Sequence, residues 1–343
     1  MRLLILGGSW FVGRAIVEQA VLGRHEVSVF NRGRTPASYP GTVRVLHGDR
    51  ERGEDLERLA GQGPWDAVID VAGSVPAVVR DAARALSPAA GRYVFVSTIS
   101  VYRDWLDEPI DEGSALHPGD PDQDPGTRAW DPASYGPLKA GCEQAIGRSY
   151  PADRTLIVRP GVVLGPGEYV GRLPWWLHRM HRAGRVLAPG TPDRAIQPID
   201  VRDLAAFLLS LTARGRSGVY NVTAPPDRDT YGDLLTSCAR AVGTHPDLTW
   251  IDDDWLTRQD VRQWTELPLW LTATGTSTIN PARAHAVGLT CRPLQDTVQD
   301  VWAWLTAGGT PVPHERAAEH GLAPDKEARL LRAWDTEHPT SRN

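Results

Sequence analysis

Four apolar residues run straight into paired glycines near the start of the chain, in "LLILGGSWFVGRAI" (Leu3 to Ile16). An unbroken apolar run predicts a strand buried on both faces. Glycines followed by helix-periodic residues from Gly13 to Leu22 predict a tight turn and then a helix. The alternation continues. "EVSVFN" (Glu26 to Asn31), "VRVLHGD" (Val43 to Asp49), "WDAVIDVAG" (Trp65 to Gly73), "GRYVFVST" (Gly91 to Thr98) and "RTLIVRPG" (Arg154 to Gly161) predict further strands. Helices fit at Glu54 to Ala60, Val75 to Leu86 and Gly136 to Arg148. This succession predicts an α/β fold, a Rossmann-type doubly wound parallel sheet.

With 343 residues there is chain for a second, smaller part. Texture changes after Pro160, with aromatic helices ("LPWWLHRMHRAG"), an expected return to the sheet at "QPIDVRDLAAFLLSL" and a strand at "GVYNVTA". The predicted division is a dinucleotide-binding part at 1–165 with a return segment at about 195–224, and a mostly helical substrate-binding part at about 166–194 and 225–343. Between Asp104 and Ser134 the chain turns acidic and rich in Pro and Gly, an excursion expected to be a loop, either a lid or disordered.

Lys+Arg total 37 against Asp+Glu 42, a net charge of −5. That balance gives no basic excess to attract nucleic acid or an anionic membrane. Cys142, Cys238 and Cys291 are odd in number and too far apart for a metal pair. No metal is expected, and the cysteines read as buried thiols of a reducing compartment. With no leader pattern and no apolar stretch near the roughly 18 residues a bilayer requires, the expected location is cytoplasmic.

A helix N-terminus presents unpaired N–H groups and the positive end of its dipole, so a pyrophosphate can sit there if the turn lets the backbone approach. Gly7 supplies the turn, Gly13 the close helix-to-strand contact, and Gly8 and Ser9 present N–H groups. Trp10 occupies the place of a middle glycine. Its indole is expected to point away from the cofactor or lie alongside it, with Phe11 and Val12 completing the loop. Asn31 ends the second strand where a carboxylate would bind the ribose of NAD. The following Arg32 and Arg34 suit a 2′-phosphate, which favours NADP(H) while leaving NAD(H) possible. Asp49, followed by Arg50, can reach the adenine edge, and Val71, Ala72 and Gly73 let the cofactor lie close to a strand end.

Chemistry is carried by an ordered set. "VFVSTISVY" ends a strand at Ser97 and Thr98, and "SYGPLKAGCEQAI" opens a helix with Tyr135 and Lys139. Residues i and i+4 share a helix face, so phenol and ammonium point the same way. A phenol titrates near 10, so a base working near neutrality needs a shift of roughly 3 units, about 4 kcal/mol. An ammonium and a cationic nicotinamide can supply it.

In these pieces, together with "GGSWFVG", "DVAG", "YGPLK", "LIVRPGVVLGPG" and "PIDVRDLA", the chain resembles the short-chain dehydrogenase/reductase superfamily, of the extended type that includes NAD-dependent epimerases and dehydratases. The resemblance extends over nearly the whole length. It implies Tyr135 as acid/base, Lys139 as the binder of the nicotinamide ribose that lowers the tyrosine pKa, and Thr98 as the hydroxyl that orients substrate. Ser97 and Ser100 are lesser substitutes, and Pro160 to Val162 would flank the nicotinamide. The GGxxxxG loop departs from the usual T-G-x-x-G-x-x-G. It resembles that of an atypical subgroup described variously as reductases, sugar dehydratases and RNA-binding proteins. Ile99 and Ser100 replace the Asp-Glu of the dehydratases, which argues against sugar 4,6-dehydration.

Three functions follow. One is an NAD(P)-dependent oxidoreductase acting on a carbonyl or alcohol carbon of a small molecule. The second is a nucleotide-sugar epimerase with tightly held NAD, and the third a catalytically idle NADP- or RNA-binding protein. The expected partner is a small-molecule substrate, with a homodimer compatible. Trp175 and Trp176 are adjacent on a helix and cannot share a face. One is expected to pack and the other to wall a pocket. Arg172, His178 and Gln197 are polar candidates there without a catalytic role.

Overall fold

The computed structural model describes residues 1–124, 126, 131–311 and 320–339. Contacts divide the chain into two compact units, Met1–Val163 with Pro198–Pro225 and Thr278–Cys291, and Leu164–Gln197 with Pro226–Ser277 and Arg292–Asn343. The first unit thus takes in Thr278–Cys291, a segment that the sequence assigns to the other part.

In chain order come β1 (Arg2–Leu6), α1 (Phe11–Leu22), β2 (Glu26–Asn31), β3 (Arg44–His47), α2 (Gly53–Ala60), β4 (Ala67–Asp70), α3 (Pro76–Leu86) and β5 (Tyr93–Val96). These are followed by α4 (Pro132–Gly147), β6 (Thr155–Pro160), β7 (Val162–Leu164), α5 (Arg172–His181), β8 (Arg185–Pro189) and β9 (Ala195–Ile196). Then come β10 (Pro198–Asp200), α6 (Val201–Ala213), β11 (Gly218–Val222), β12 (Asp229–Thr230), α7 (Tyr231–Val242), β13 (Asp247–Ile251) and α8 (Asp253–Arg258). The last are α9 (Ala282–Ala286), α10 (Leu294–Thr306) and α11 (Pro324–Glu337).

Strands β11-β6-β5-β4-β1-β2-β3 form a seven-stranded sheet in that order, and neighbouring strands pair in parallel. The predicted doubly wound sheet is therefore present. Helices α1 and α6 pack together, and α2, α3 and α4 form a second succession of contacts. Leu4, Leu6, Val68, Phe95 and Ile146 are buried in one cluster with α3 residues such as Val79. Each such side chain contributes about 1.5–3 kcal/mol by leaving water. "QPIDVRDLAAFLLSL" differs from the expected return to the sheet. Only Pro198–Asp200 is extended, outside the seven strands, and the rest is α6 capped by Asp200, whose side chain accepts from Arg202 N. The sheet is instead completed by β11.

The excursion after β5 is neither a free lid nor a bare loop over its described part; residues 125 and 127–130 lie outside the described residues. Tyr102 bridges Leu116, Ile110 bridges Ile279, and His117 N donates to Val101 O at 2.8 Å. Ile99, Val101, Tyr102, Ile110 and Ile279 form a small core with Ala140 of α4. The segment is a strap, and backbone meets backbone where it crosses α4. A Cβ on Gly119 would lie 2.3 Å from Gly141 N, and one on Gly141 would lie 2.7 Å from Asp120 O. The glycines that weaken α4 as an isolated helix are the ones that admit the strap. Asp131 caps α4 by accepting from Ala133 N, and Pro132 occupies the first turn, so the helix starts four residues before the predicted Gly136.

In the second unit β8 and β13 pair in parallel, and α5, α7 and α10 pack on one another. The Arg179 Nε donates to the Glu327 carboxylate at 2.8 and 2.9 Å, a buried pair joining α5 to α11. Cys142 and Cys238 are buried as expected, whereas Cys291 is partly exposed. Among the described residues, no helix is long and apolar enough to cross a membrane, and no group of His, Cys, Asp and Glu could hold a metal ion.

Candidate active site

In a parallel sheet the ligand face lies at the C-terminal strand ends, where β1 turns into α1. Gly7 has φ +107 and Gly8 φ +87, conformations that disfavour any side chain. A Cβ on Gly7 would lie 2.8 Å from Val71 Cγ2, and one on Gly13 would lie 2.8 Å from the Gly8 Cα. Gly13 thus brings α1 against the turn itself, and Gly8, expected only to present its N–H, is also needed for its positive φ. Trp10 is half-buried and serves as the N-cap, its carbonyl accepting from Arg14 N at 2.9 Å. No side-chain cap and no acidic residue occupies the first turn of α1, which suits an anionic ligand there.

At the end of β2, Asn31 Oδ1 accepts from Gly33 N at 2.9 Å and its Nδ2 donates to Ser9 Oγ at 3.3 Å. Ser9 Oγ lies 3.3 Å from the Tyr39 hydroxyl. Arg32 and Arg34 are exposed. Two hydroxyls and an amide meet here. Tyr39 escaped the sequence reading because it sits eight residues beyond the strand in a Pro-rich turn.

Asp49 and Arg50 part company. Asp49 is half-buried, and its Oδ1 accepts from Glu51 N at 3.1 Å. The Arg50 guanidinium instead grips Asp70 at the end of β4, through Nη1 at 2.9 Å and Nη2 at 2.7 Å. Tyr93 adds its hydroxyl to the same carboxylate at 2.7 Å. Burial works to raise the Asp70 pKa, but the Arg50 charge, the Arg50 hydrogen bonds and the Tyr93 hydroxyl outweigh it and hold it below the carboxylate range. Both Nη atoms of Arg50 are therefore committed to the end of β4. Val71, Ala72 and Gly73 follow Asp70, with Gly73 buried against Phe95, Val79 and Asp70.

Lys139 is wholly enclosed. Its Nζ donates to Gly73 O at 2.8 Å and Val96 O at 2.7 Å and lies 4.2 Å from the Phe95 ring centroid. Burial pulls its pKa below the usual lysine value, against the nearby Cys142 thiol and the Asp70 and Glu143 carboxylates. Two residues past Val96, Thr98 Oγ1 accepts from Ser100 N and donates to Ser100 Oγ, both at 3.2 Å. Half-buried Tyr135 stands one turn before Lys139. The neighbouring Gly136 touches the same hydroxyl segment, since a Cβ there would lie 2.1 Å from Ser100 O. Ser97 turns away and donates to buried Glu143 at 2.5 Å. Pro160 ends β6 beside Val222, and Val162 follows in β7.

In the second unit, Trp176 is buried and donates to Pro268 O at 2.8 Å, while Trp175 is half-buried edge-on to it. Arg172 pairs with buried Glu168 and lies over the Trp264 ring. His178 is exposed beside Trp302, and Gln197 is buried.

No protein-family model matches the chain. It is 31% identical over 227 residues to 2′-dehydrokanamycin reductase of Streptomyces kanamyceticus, covering 63% of this chain and 59% of that one. Chloroplast stem-loop binding protein of 41 kDa b of Arabidopsis thaliana is 25% identical over 257 residues, covering 71% and 63%. Epimerase family protein SDR39U1 of Bos taurus is 28% identical over 264 residues, covering 71% and 80%. The chain thus spans about three-fifths of the length of the first two relatives, at 63% and 59%. Among solved structures, the Bordetella bronchiseptica enzyme WbmH in complex with NAD+ aligns with TM-score 0.68 at 17% identity, covering 90% and 100%. Thermus thermophilus UDP-glucose 4-epimerase with NAD aligns with TM-score 0.63 at 19% identity, covering 89% and 99%. The chain has the fold of the extended short-chain dehydrogenase/reductases, the NAD-dependent epimerase/dehydratase type that its motifs resemble.

Proposed function

We propose that the chain is an NADP(H)-dependent reductase of the short-chain dehydrogenase/reductase type, acting on a ketone of a small polyhydroxylated ring. One observation carries the reading: Lys139 is pinned to Gly73 O and Val96 O, which sets α4 beside the strand end that bears Thr98. The glycine turn fits a dinucleotide, since the positive φ of Gly7 and Gly8 turns the main chain sharply from β1 into an α1 N-terminus that carries no side-chain cap and no acidic residue. Exposed Arg32 and Arg34, with no acid ending β2, support the 2′-phosphate. The ring ketone is supported by the reductase relative, named for a dehydrogenated kanamycin.

A bound nicotinamide supplies or accepts the hydride. Tyr135 gives its phenolic proton to the substrate oxygen, and Thr98 donates a hydrogen bond to the same oxygen. The Lys139 ammonium favours the phenolate left on Tyr135. Proton transfer of this kind contributes about 10²–10⁴-fold.

Names of the structural neighbours favour a second reading, an epimerase that retains NAD. Titration with NADPH and NADH, and a search for cofactor carried through purification, separate the two. The reductase reading expects exchangeable NADPH, and preference moving toward NADH when Arg32 and Arg34 become alanine. With 2′-dehydrokanamycin and related ring ketones as probes, Tyr135→Phe should bind NADPH normally and lose about 100-fold or more of turnover. Failure of the wild type to bind either cofactor below about millimolar concentration, a weak affinity, overturns both readings.

A further inference from the structure

A buried polar layer that the mechanism does not use lies directly beneath these residues. Ser97 N donates to Val158 O, and Asn221 of β11 stands opposite Arg159 of β6, so Ser97, Arg159 and Asn221 form a row across three neighbouring strands. Glu143 closes the row from α4. Arg159 donates to it through Nε at 2.9 Å and Nη2 at 2.5 Å, and Ser97 Oγ donates to the same carboxylate at 2.5 Å. On the other side Arg159 Nη1 donates to the Tyr102 hydroxyl at 2.9 Å, which donates to Asn221 Oδ1 at 2.7 Å. All five residues are at least nine-tenths buried.

Such a layer is a poor way to gain stability, since a buried ion pair is often matched by apolar residues of similar volume. Its placement is more telling. Tyr135, Lys139 and Glu143 are spaced i, i+4 and i+8 and so form one stripe of α4. Gly136, Pro137 and Gly141 give this helix little strength of its own. Glu143 holds Ser97, the residue next to Thr98. One carboxylate therefore ties the strand end that offers the substrate hydroxyl to the helix that offers phenol and ammonium.

We propose that Glu143 and Arg159 are positioning residues that set the axial and rotational register of α4, with Ser97 as their link to the Thr98 strand. The proposal deepens the reductase reading and rests on it for the meaning of that register. Glu143→Asp keeps the charge but shortens the reach by one methylene, and Ser97→Ala removes only the link. Both are compared with wild type in binding of NADPH and of adenosine 2′,5′-bisphosphate, which lacks the nicotinamide half, and in amide exchange along Pro132–Gly147.

The expected result for Glu143→Asp is NADPH binding weakened about tenfold with the bisphosphate unchanged, and α4 amides exchanging about tenfold faster than those of β1 and β4. For Ser97→Ala about a threefold change in the same two readouts is expected. Equal weakening of both ligands, or α4 exchange unchanged in both variants, overturns the proposal. Should Glu143→Asp not fold, Ser97→Ala decides alone by the same criteria. If wild type binds neither ligand, the reductase reading fails, while exchange along α4 still tests the register.

Discussion

Replacing Asp70 by Asn tests whether the strand ends are held by an ion pair. Its carboxylate receives Arg50 Nη1 and Nη2 at 2.9 and 2.7 Å, the Tyr93 hydroxyl at 2.7 Å and Ala72 N at 3.1 Å. An asparagine offers one acceptor oxygen and turns an NH₂ toward donors that need acceptors. Two charge-assisted bonds at about 1.5–3 kcal/mol each are then at stake. Removing one partner of a buried pair costs about 3–5 kcal/mol. About 4 kcal/mol is expected, a large share of a typical stability of about 5–15 kcal/mol. Urea unfolding should show a lower midpoint with an unchanged slope. Adding Arg50→Met should recover most of the loss, because no uncompensated charge remains. A single-variant cost under about 1 kcal/mol, well short of the buried-pair range, or a double variant as unstable as the two singles summed, refutes the argument. The pH dependence has a definite sign. Asp70 is held below its unfolded value of about 3.9, so its contribution is present above that pH and lost as pH falls through the folded value. The gap between wild type and Asp70→Asn should therefore close only below about pH 4.

Three further outcomes are expected. Tyr93→Phe removes one donor from the same carboxylate and should cost about 1.5–3 kcal/mol, less when combined with Asp70→Asn, as urea midpoints would show. Gly7→Ala forces a side chain into φ +107 and a contact of 2.8 Å with Val71. A cost of about 1–3 kcal/mol with loss of NADPH binding by calorimetry is expected, and unaltered binding would count against the turn as the phosphate site. Gly141→Ala places a Cβ 2.7 Å from Asp120 O and should speed limited proteolysis between Asp104 and Asp124, whereas an unchanged cleavage rate would mean that the strap is not held by this contact.

The sheet could be read in advance because strands buried on both faces carry apolar runs, as β1, β4, β5 and β6 do. Gly7 and Gly13 were legible for a similar reason, since a turn this close to a helix leaves few other residues. The Arg50–Asp70 pair was hidden by the 20 residues that separate its members, and "HGDR" reads equally well as a ligand-facing turn. Glu143 was overlooked although its spacing from Tyr135 and Lys139 is visible, because a lone acid late in a helix carries no signal until Arg159 arrives from β6. Thr278–Cys291 could not be assigned either. It joins the first unit through contacts such as Ile279 with Ile110, which no local pattern announces.

The crossing of the strap over α4 also separates what can change from what cannot. At Gly119, Gly136 and Gly141 the fit is between main chains, so no side-chain repacking can absorb an alteration there. Leu106 and Pro109 of the strap are exposed and take no part in these main-chain contacts, whereas Asp122 pairs with Arg80 and Arg148 and Glu112 accepts from Asn221 N. Among proteins of this fold that share the strap, variation is thus expected at such exposed positions and not at the three glycines.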